Sequence, residues 1–300
     1  MKVGRTEVGR GIWWEAARPR TLPAAIAPVL VATALAWHDG TMHLGAAAIC
    51  LTFALLIQIG TNYANDCFDF VKGADTKDRV GPRRAVAAGV IAPATMKRAI
   101  AAVFGAAFIV GLSLLPFGGW PLLVVGLTSI FSGIAYTGGP YPLAYNGWGD
   151  VFVFVFFGLV AVTATYFVQA GQVTPDAWIL GAGIGALATN ILVVNNYRDI
   201  ATDRVAGKRT LAVRWGPTFA ELQFAGDHLL MVGAVGWLVA RGTWSPVVGG
   251  VLAVFCLVSG ARQYRRLCAA QNAEELIALL GVTGRHVALT ALGVVVGLLV

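Results

Sequence analysis

Two stretches of this chain gather polar side chains inside otherwise apolar sequence. The first, QIGTNYANDCFDFVKGADTKDRVGPRRAV, runs from Gln58 to Val86. At helical pitch, residues three or four apart are neighbours, so Asn62, Asn65, Asp69 and Lys72 share one face, with Asp66 one residue round. The second, TNILVVNNYRDIATDRVAGKRTLAVRWG, runs from Thr189 to Gly216 and repeats Asn195, Asp199 and Asp203 every four residues. Arg198, Lys208 and Arg209 stand beside that row. Each stretch is therefore a side-chain amide, then carboxylates, then a basic segment. Oxygen donors at this density suit a hard cation, which relieves their mutual repulsion.

The elements that must position these residues are membrane helices. The chain has 300 residues, 57% hydrophobic and only 12% charged, with a mean hydropathy of +0.73, whereas an ordinary soluble domain is about one-quarter charged. Apolar runs predict nine spans, at 21–37, 43–65, 98–116, 119–136, 150–169, 177–196, 219–240, 245–261 and 286–300. Each approaches the roughly 20 residues that cross a hydrocarbon core, and continuous runs without ten-residue alternation exclude a barrel. All of the 22 lysines and arginines except Arg241 fall on one side of this arrangement. The positive-inside rule then puts the N-terminus in the cytoplasm and the C-terminus outside. Residues 1–20, with Trp13 and Trp14, form a cytoplasmic or interfacial segment. Residues 66–97 and 197–217 are long cytoplasmic loops, and 271–280 reads as a short interfacial helix. Neither Cys50, Cys67, Cys256 and Cys268 nor His38, His43, His228 and His286 have metal-ligand spacing. In so apolar a chain, a pI of about 9.5 points to lipid surfaces rather than nucleic acid.

Both acidic stretches end even-numbered spans, so they run the same way, and a parallel repeat brings them face to face across a central cavity. One such stretch alone is equally a solvated helix end neutralised by its own Lys and Arg. Two of them at membrane depth are costly and point to function. A cation cluster alone also fits a cation-coupled transporter. The density of cations favours a polyanion bridged through magnesium, its remaining charge carried by Lys72, Arg79, Arg84, Arg198, Lys208 and Arg209.

At these residues the sequence resembles the UbiA superfamily of intramembrane prenyltransferases. Its NDxxD motif is matched by Asn65, Asp66 and Asp69, and its DxxxD motif by Asp199 and Asp203. The blocks KGADT, RAVAAG (84–89), YTGGPYPLAY (136–145) and NNYRDIATDRVAGKRTLAVRWG (195–216) resemble its 1,4-dihydroxy-2-naphthoate polyprenyltransferase branch. One departure is Gly73, where many relatives carry a further Asp; the next carboxylate here is Asp75.

The resemblance implies a single all-α membrane domain over 1–300 enclosing one cavity in the cell membrane, with its site toward the cytoplasm. Asn65, Asp69, Asn195, Asp199 and Asp203 are implied to hold Mg²⁺, as two ions, on a polyprenyl diphosphate, with Asp66, Asp69, Asp199 and Asp203 as the catalytic acids. The allylic cation so formed attacks the ring carbon that bears the carboxylate of the naphthoate, and CO₂ leaves. Tyr136 and Tyr141 then orient the acceptor or shield the cation, unless they belong to an interfacial aromatic belt. A different acceptor, such as 4-hydroxybenzoate or homogentisate, is the nearest alternative.

Overall fold

The computed structural model describes residues 10–75 and 83–300. Apart from short 3₁₀ turns and one π-helical segment, the elements are α-helices, and no strand occurs among the described residues. In chain order they are α1 (Arg10–Ala16), α2 (Pro23–His38), α3 (Leu44–Val71), α4 (Pro93–Leu112), α5 (Leu115–Gly118), α6 (Trp120–Ala135), α7 (Gly149–Phe154), the π segment Val155–Val160, α8 (Ala161–Ala170), α9 (Pro175–Arg198), α10 (Ile200–Val205), α11 (Leu211–Trp215), α12 (Pro217–Ala240), α13 (Pro246–Ala269) and α14 (Ala273–Leu299).

Local chemistry sets the helix starts. Proline, whose missing N–H costs nothing in a first turn, opens α2, α4, α9, α12 and α13. Thr174, Ser245 and Asn272 accept hydrogen bonds from the amides of Ala177, Val248 and Glu275, capping α9, α13 and α14. Seven helices among the described residues are long and apolar enough to cross a membrane: α3, α4, the continuous run α7 to α8, α9, α12, α13 and α14. The bent pair formed by Gly11–Thr21 and α2 is a further candidate, and α6 is shorter at 16 residues. The expected spans 21–37 and 119–136 fall on these last two elements.

Several boundaries differ from the sequence reading, among them the end of α13, which runs to Ala269, eight residues past the expected 261. The expected interfacial helix at 271–280 is not a separate element: from Ala273 onward its residues belong to α14, which runs unbroken for 27 residues. The Asn272 side chain accepts from Glu275 N, the Glu275 carboxylate accepts from Gln271 N, and Leu276, Leu279 and Leu280 are buried in the core. Helix α3 continues through the whole first acidic motif to Val71, so residues 66–71 are helix rather than loop. Helix α4 starts at Pro93, five residues before the expected span, because Pro93 is a natural first helical residue.

Helix α9 is the central element, packed by α12, α14 and the α7–α8 run. Its GAGIGALA sequence makes this possible. A Cβ on Gly158 of the π segment would stand 2.4 Å from the Gly185 Cα and 2.5 Å from the Gly181 oxygen. Only glycine lets these two backbones approach so closely, and dispersion over such close faces holds membrane helices together. The widened π turn aims Phe156, Phe157 and Val160 at an internal cavity of about 230 Å³.

Candidate active site

The cavity lies among α2, α3, α4, α6, the α7–α8 run and α9. Its far end is apolar, with Cys50, Leu114, Leu122 and Val168. At the other end stand Asn62, Asn65, Asn195 and Tyr136, just below the two acidic motifs. One asparagine of each motif, Asn65 and Asn195, thus lines the same cavity.

Direct contact between the motifs runs through Lys208. Its Nζ lies 3.5 Å from Asp69 Oδ1 and 3.6 Å from Asp203 Oδ1, so carboxylates from two distant helices share one ammonium. Asp69 is held on both oxygens: the Tyr145 hydroxyl donates to Oδ1 at 2.8 Å and Arg84 Nη2 to Oδ2 at 3.3 Å. Arg84 also pairs through Nε with Asp75 at 3.4 Å. Burial pushes the Asp203 carboxyl up to about 6, opposed by Lys208 and reinforced by Asp199 and Asp69.

The other expected residues take several different places. Asn65 and Asn195 both line the cavity. Thr137 donates to Asn65 Oδ1 at 2.9 Å, and the Asn195 amide nitrogen donates to Ile191 O at 3.3 Å. Asp199 ends α9 and is gripped by its neighbour Arg198 through two bonds of 2.7 Å, so these two expected ligands are engaged with each other. Lys72 donates to Gly139 O at 2.9 Å, and burial lowers its pKa. The Arg209 backbone N–H donates to Tyr145 O at 2.7 Å while its side chain is exposed. Arg79 lies outside the described residues.

Two expectations change in kind. Asp66 is buried and spends its carboxylate on backbone, Oδ2 accepting from Ala85 N at 2.9 Å and Oδ1 from Val86 N at 3.1 Å. It thereby ties the segment carrying Arg84 to α3. Tyr141 is 58% exposed and does not line the cavity, whereas Tyr136 does. The reason is the loop path: Gly139 takes a positive φ of 74° and turns the chain outward before Tyr141. Asn62 also has a supporting part. Its amide donates to Ala17 O at 2.8 Å, and Gln58 donates to Thr21 at 2.9 Å, which pins the bend before α2.

Tyr145 was missed as a site residue. Besides its bond to Asp69, its ring lies 4.8 Å from Lys208 Nζ and 5.3 Å from Lys72 Nζ. The available signal was its place at the end of the YTGGPYPLAY block. Gly147 lets this loop close: it has a φ of 81°, and a Cβ there would stand 2.9 Å from Arg209 O.

The donor set fits a hard cation. One carboxylate oxygen from each motif, Asp69 Oδ1 and Asp203 Oδ1, already meets at a positive charge, and oxygen donors of this kind suit a hard cation. Among the described residues, no three acidic, His or Cys side chains converge closely enough to hold a metal unaided.

These features define a class: a polytopic helical membrane protein whose mouth of paired acids and bases opens onto an apolar chamber. The pattern of the UbiA prenyltransferase family matches residues 25–297, and the chain belongs to that family. It is 38% identical over 283 residues to the 1,4-dihydroxy-2-naphthoate octaprenyltransferase of Mycobacterium tuberculosis, covering 94% of each chain. It is 40% identical over 222 residues to the Escherichia coli (strain K12) protein of the same name, covering 72% of this chain and 71% of that one. Its fold is similar to that of a UbiA homolog from Archaeoglobus fulgidus bound to GPP and Mg2+. The TM-score is 0.69 at 14% identity, covering 95% of this chain and 99% of that one.

Proposed function

We propose that this chain transfers a polyprenyl group from polyprenyl diphosphate to 1,4-dihydroxy-2-naphthoate with loss of CO₂, a step of menaquinone biosynthesis that yields demethylmenaquinone in its reduced, hydroquinone form. The protein crosses the cell membrane nine times, with its N-terminus and active site on the cytoplasmic side and its C-terminus outside. The observation that carries the reading is the meeting of Asp69 and Asp203 at Lys208, directly above an apolar chamber. The names of the two relatives support the acceptor, and the archaeal homolog's printed ligands support a diphosphate with Mg²⁺.

Asn65, Asp69, Asn195, Asp199 and Asp203 would hold two Mg²⁺ ions. When bound, the ions polarise the diphosphate oxygens and neutralise the leaving group. Lys72, Arg84, Lys208 and Arg209, with Arg79 and an Arg198 released from Asp199, take the remaining phosphate charge. The allylic C–O bond breaks with its electron pair on the diphosphate. Apolar walls keep water from the resulting cation, and the Tyr136 ring at the head of the chamber faces it. The ring carbon bearing the carboxylate bonds to the cation, and the bond to the carboxylate then breaks, its electron pair restoring aromaticity as CO₂ departs.

Acceptor labelled in the carboxylate tests this directly. Purified protein with Mg²⁺ and a long-chain prenyl diphosphate should release one labelled CO₂ for each prenyl group attached. Label retained in the prenylated product would reject the naphthoate assignment, because an acceptor prenylated beside a hydroxyl loses a proton and keeps its carboxylate.

A further inference from the structure

We infer that Tyr145 is a positioning residue that sets the affinity of the site for its divalent cation, by fixing Asp69 and by holding two lysines over its ring. Among the described contacts, Tyr145 joins both acidic motifs through three kinds of interaction. Its hydroxyl donates to Asp69 Oδ1 at 2.8 Å. Its ring carries Lys72 Nζ, from the end of the first motif, at 5.3 Å and Lys208 Nζ, from beyond the second, at 4.8 Å. Its backbone oxygen accepts from Arg209 N at 2.7 Å, which binds its loop to the second motif whatever the side chain.

The physical consequence follows from which atoms are shared. Asp69 Oδ1 is the oxygen that also faces Lys208, at 3.5 Å. A carboxylate with both oxygens pinned, Oδ1 by Tyr145 and Oδ2 by Arg84, presents its remaining lone pairs in one orientation. A cation ligand held in that way does not have to be ordered when the ion arrives, and outer partners of this sort change metal affinity or activity by about 10- to 100-fold when removed. The ring does a separate task. Its π face attracts both ammonium groups and keeps them beside the carboxylates, ready for a phosphate.

Two substitutions separate the tasks. Tyr145→Phe keeps the ring and deletes the hydroxyl; Tyr145→Leu deletes both. Mn²⁺ binding to the purified protein, read as the EPR signal of the free ion, should weaken about 10- to 100-fold in Tyr145→Phe. The Mg²⁺ concentration that half-saturates turnover should rise by the same factor, while the KM for the naphthoate stays unchanged and excess Mg²⁺ restores the rate. Tyr145→Leu should show the same metal defect and, in addition, a raised KM for the prenyl diphosphate. A Phe variant that binds Mn²⁺ like wild type overturns the inference, even if its yield of folded protein falls. So does a Leu variant with an unchanged diphosphate KM, because the ring would then hold nothing that matters. The role stated for Tyr145 rests on the function proposed above. The two can fail separately: wild-type protein that binds Mn²⁺ but transfers no prenyl group sinks that function, whereas Mn²⁺ affinity is read without turnover.

Discussion

Replacing Lys208 by Met keeps the length of the side chain and removes the one ammonium that Asp69 and Asp203 share. Its two contacts, at 3.5 and 3.6 Å, are each worth about 5 kcal/mol gross at an effective dielectric of about 20. The side chains are 17%, 4% and 10% exposed for Lys208, Asp69 and Asp203, so solvent screens them only partly. Taking away one partner of a buried cluster costs about 3–5 kcal/mol when the other charge is stranded. Neither carboxylate is stranded here. Asp69 keeps Tyr145 and Arg84. Asp203 titrates at about 6, so protonating it at pH 7 costs about 1.4 kcal/mol, and less once Lys208 is gone. Protonation is the cheaper route, and it caps the loss of stability at about 1–2 kcal/mol.

The fold should therefore survive Lys208→Met while the site changes in two opposite directions. With the competing charge removed, Mn²⁺ alone should bind more tightly above pH 7, where Asp203 is ionised when the ion is bound. The KM for prenyl diphosphate should instead rise at least tenfold, because a charge-assisted bond to phosphate is lost. The assay pairs thermal unfolding in detergent with Mn²⁺ titration by EPR and steady-state kinetics at saturating naphthoate. Weaker Mn²⁺ binding together with an unchanged diphosphate KM would refute the reasoning, since Lys208 would then be neither a stand-in for the metal nor a phosphate contact.

Further outcomes follow from the same geometry. Asp69→Asn and Asp203→Asn should each lower turnover by about 100-fold or more with little change in melting temperature, since charge is lost but size is kept; near-normal rates in both would exclude the two-motif site. Asp66→Asn should act mainly on stability, by about 2–4 kcal/mol, because its amide group cannot accept from both Ala85 N and Val86 N; thermal unfolding reads this directly. The raised Asp203 value fixes the sign of two pH effects. Protons compete with the metal below about 6, so the half-saturating Mg²⁺ should rise about tenfold for each pH unit below that point and stay flat above it. In the metal-free protein the folded state keeps a proton that the unfolded chain releases near 3.8. Stability from this group should accordingly decline as pH rises from about 4 to about 6, by about 3 kcal/mol, and then level off in melts at fixed ionic strength.

How far the sequence reached depended on the range of the signal. The apolar runs located the helices because hydropathy is a local property, and the i, i+4 rows of Asn and Asp marked both motifs for the same reason. Boundaries failed where a cap or a proline overrode hydropathy: Asn272 and Glu275 start α14 well before its most apolar stretch, and Pro93 starts α4 ahead of the polar Thr95, Lys97 and Arg98. Asp66 had the motif spacing of a ligand, but the amides that claim it belong to Ala85 and Val86, which lie near in space and 19 and 20 residues away in sequence.

Tyr145 marks the same limit from the opposite side. It shares the YTGGPYPLAY block with Tyr141, four residues earlier, and both end in a hydroxyl on an aromatic ring. What separates them is the path of one loop: Gly139 turns Tyr141 outward, and Gly147 lets the Tyr145 backbone close onto Arg209. Chemical type was thus legible residue by residue, while the choice of which tyrosine meets Asp69 required the tertiary structure. A loop that chooses in this way can be probed through its glycines, and Gly147→Ala places a Cβ 2.9 Å from Arg209 O at a φ of 81°. The strain falls on the Tyr145–Arg209 link and spares the helices. A defect in that variant therefore belongs to the site, and reaches it through the same tyrosine.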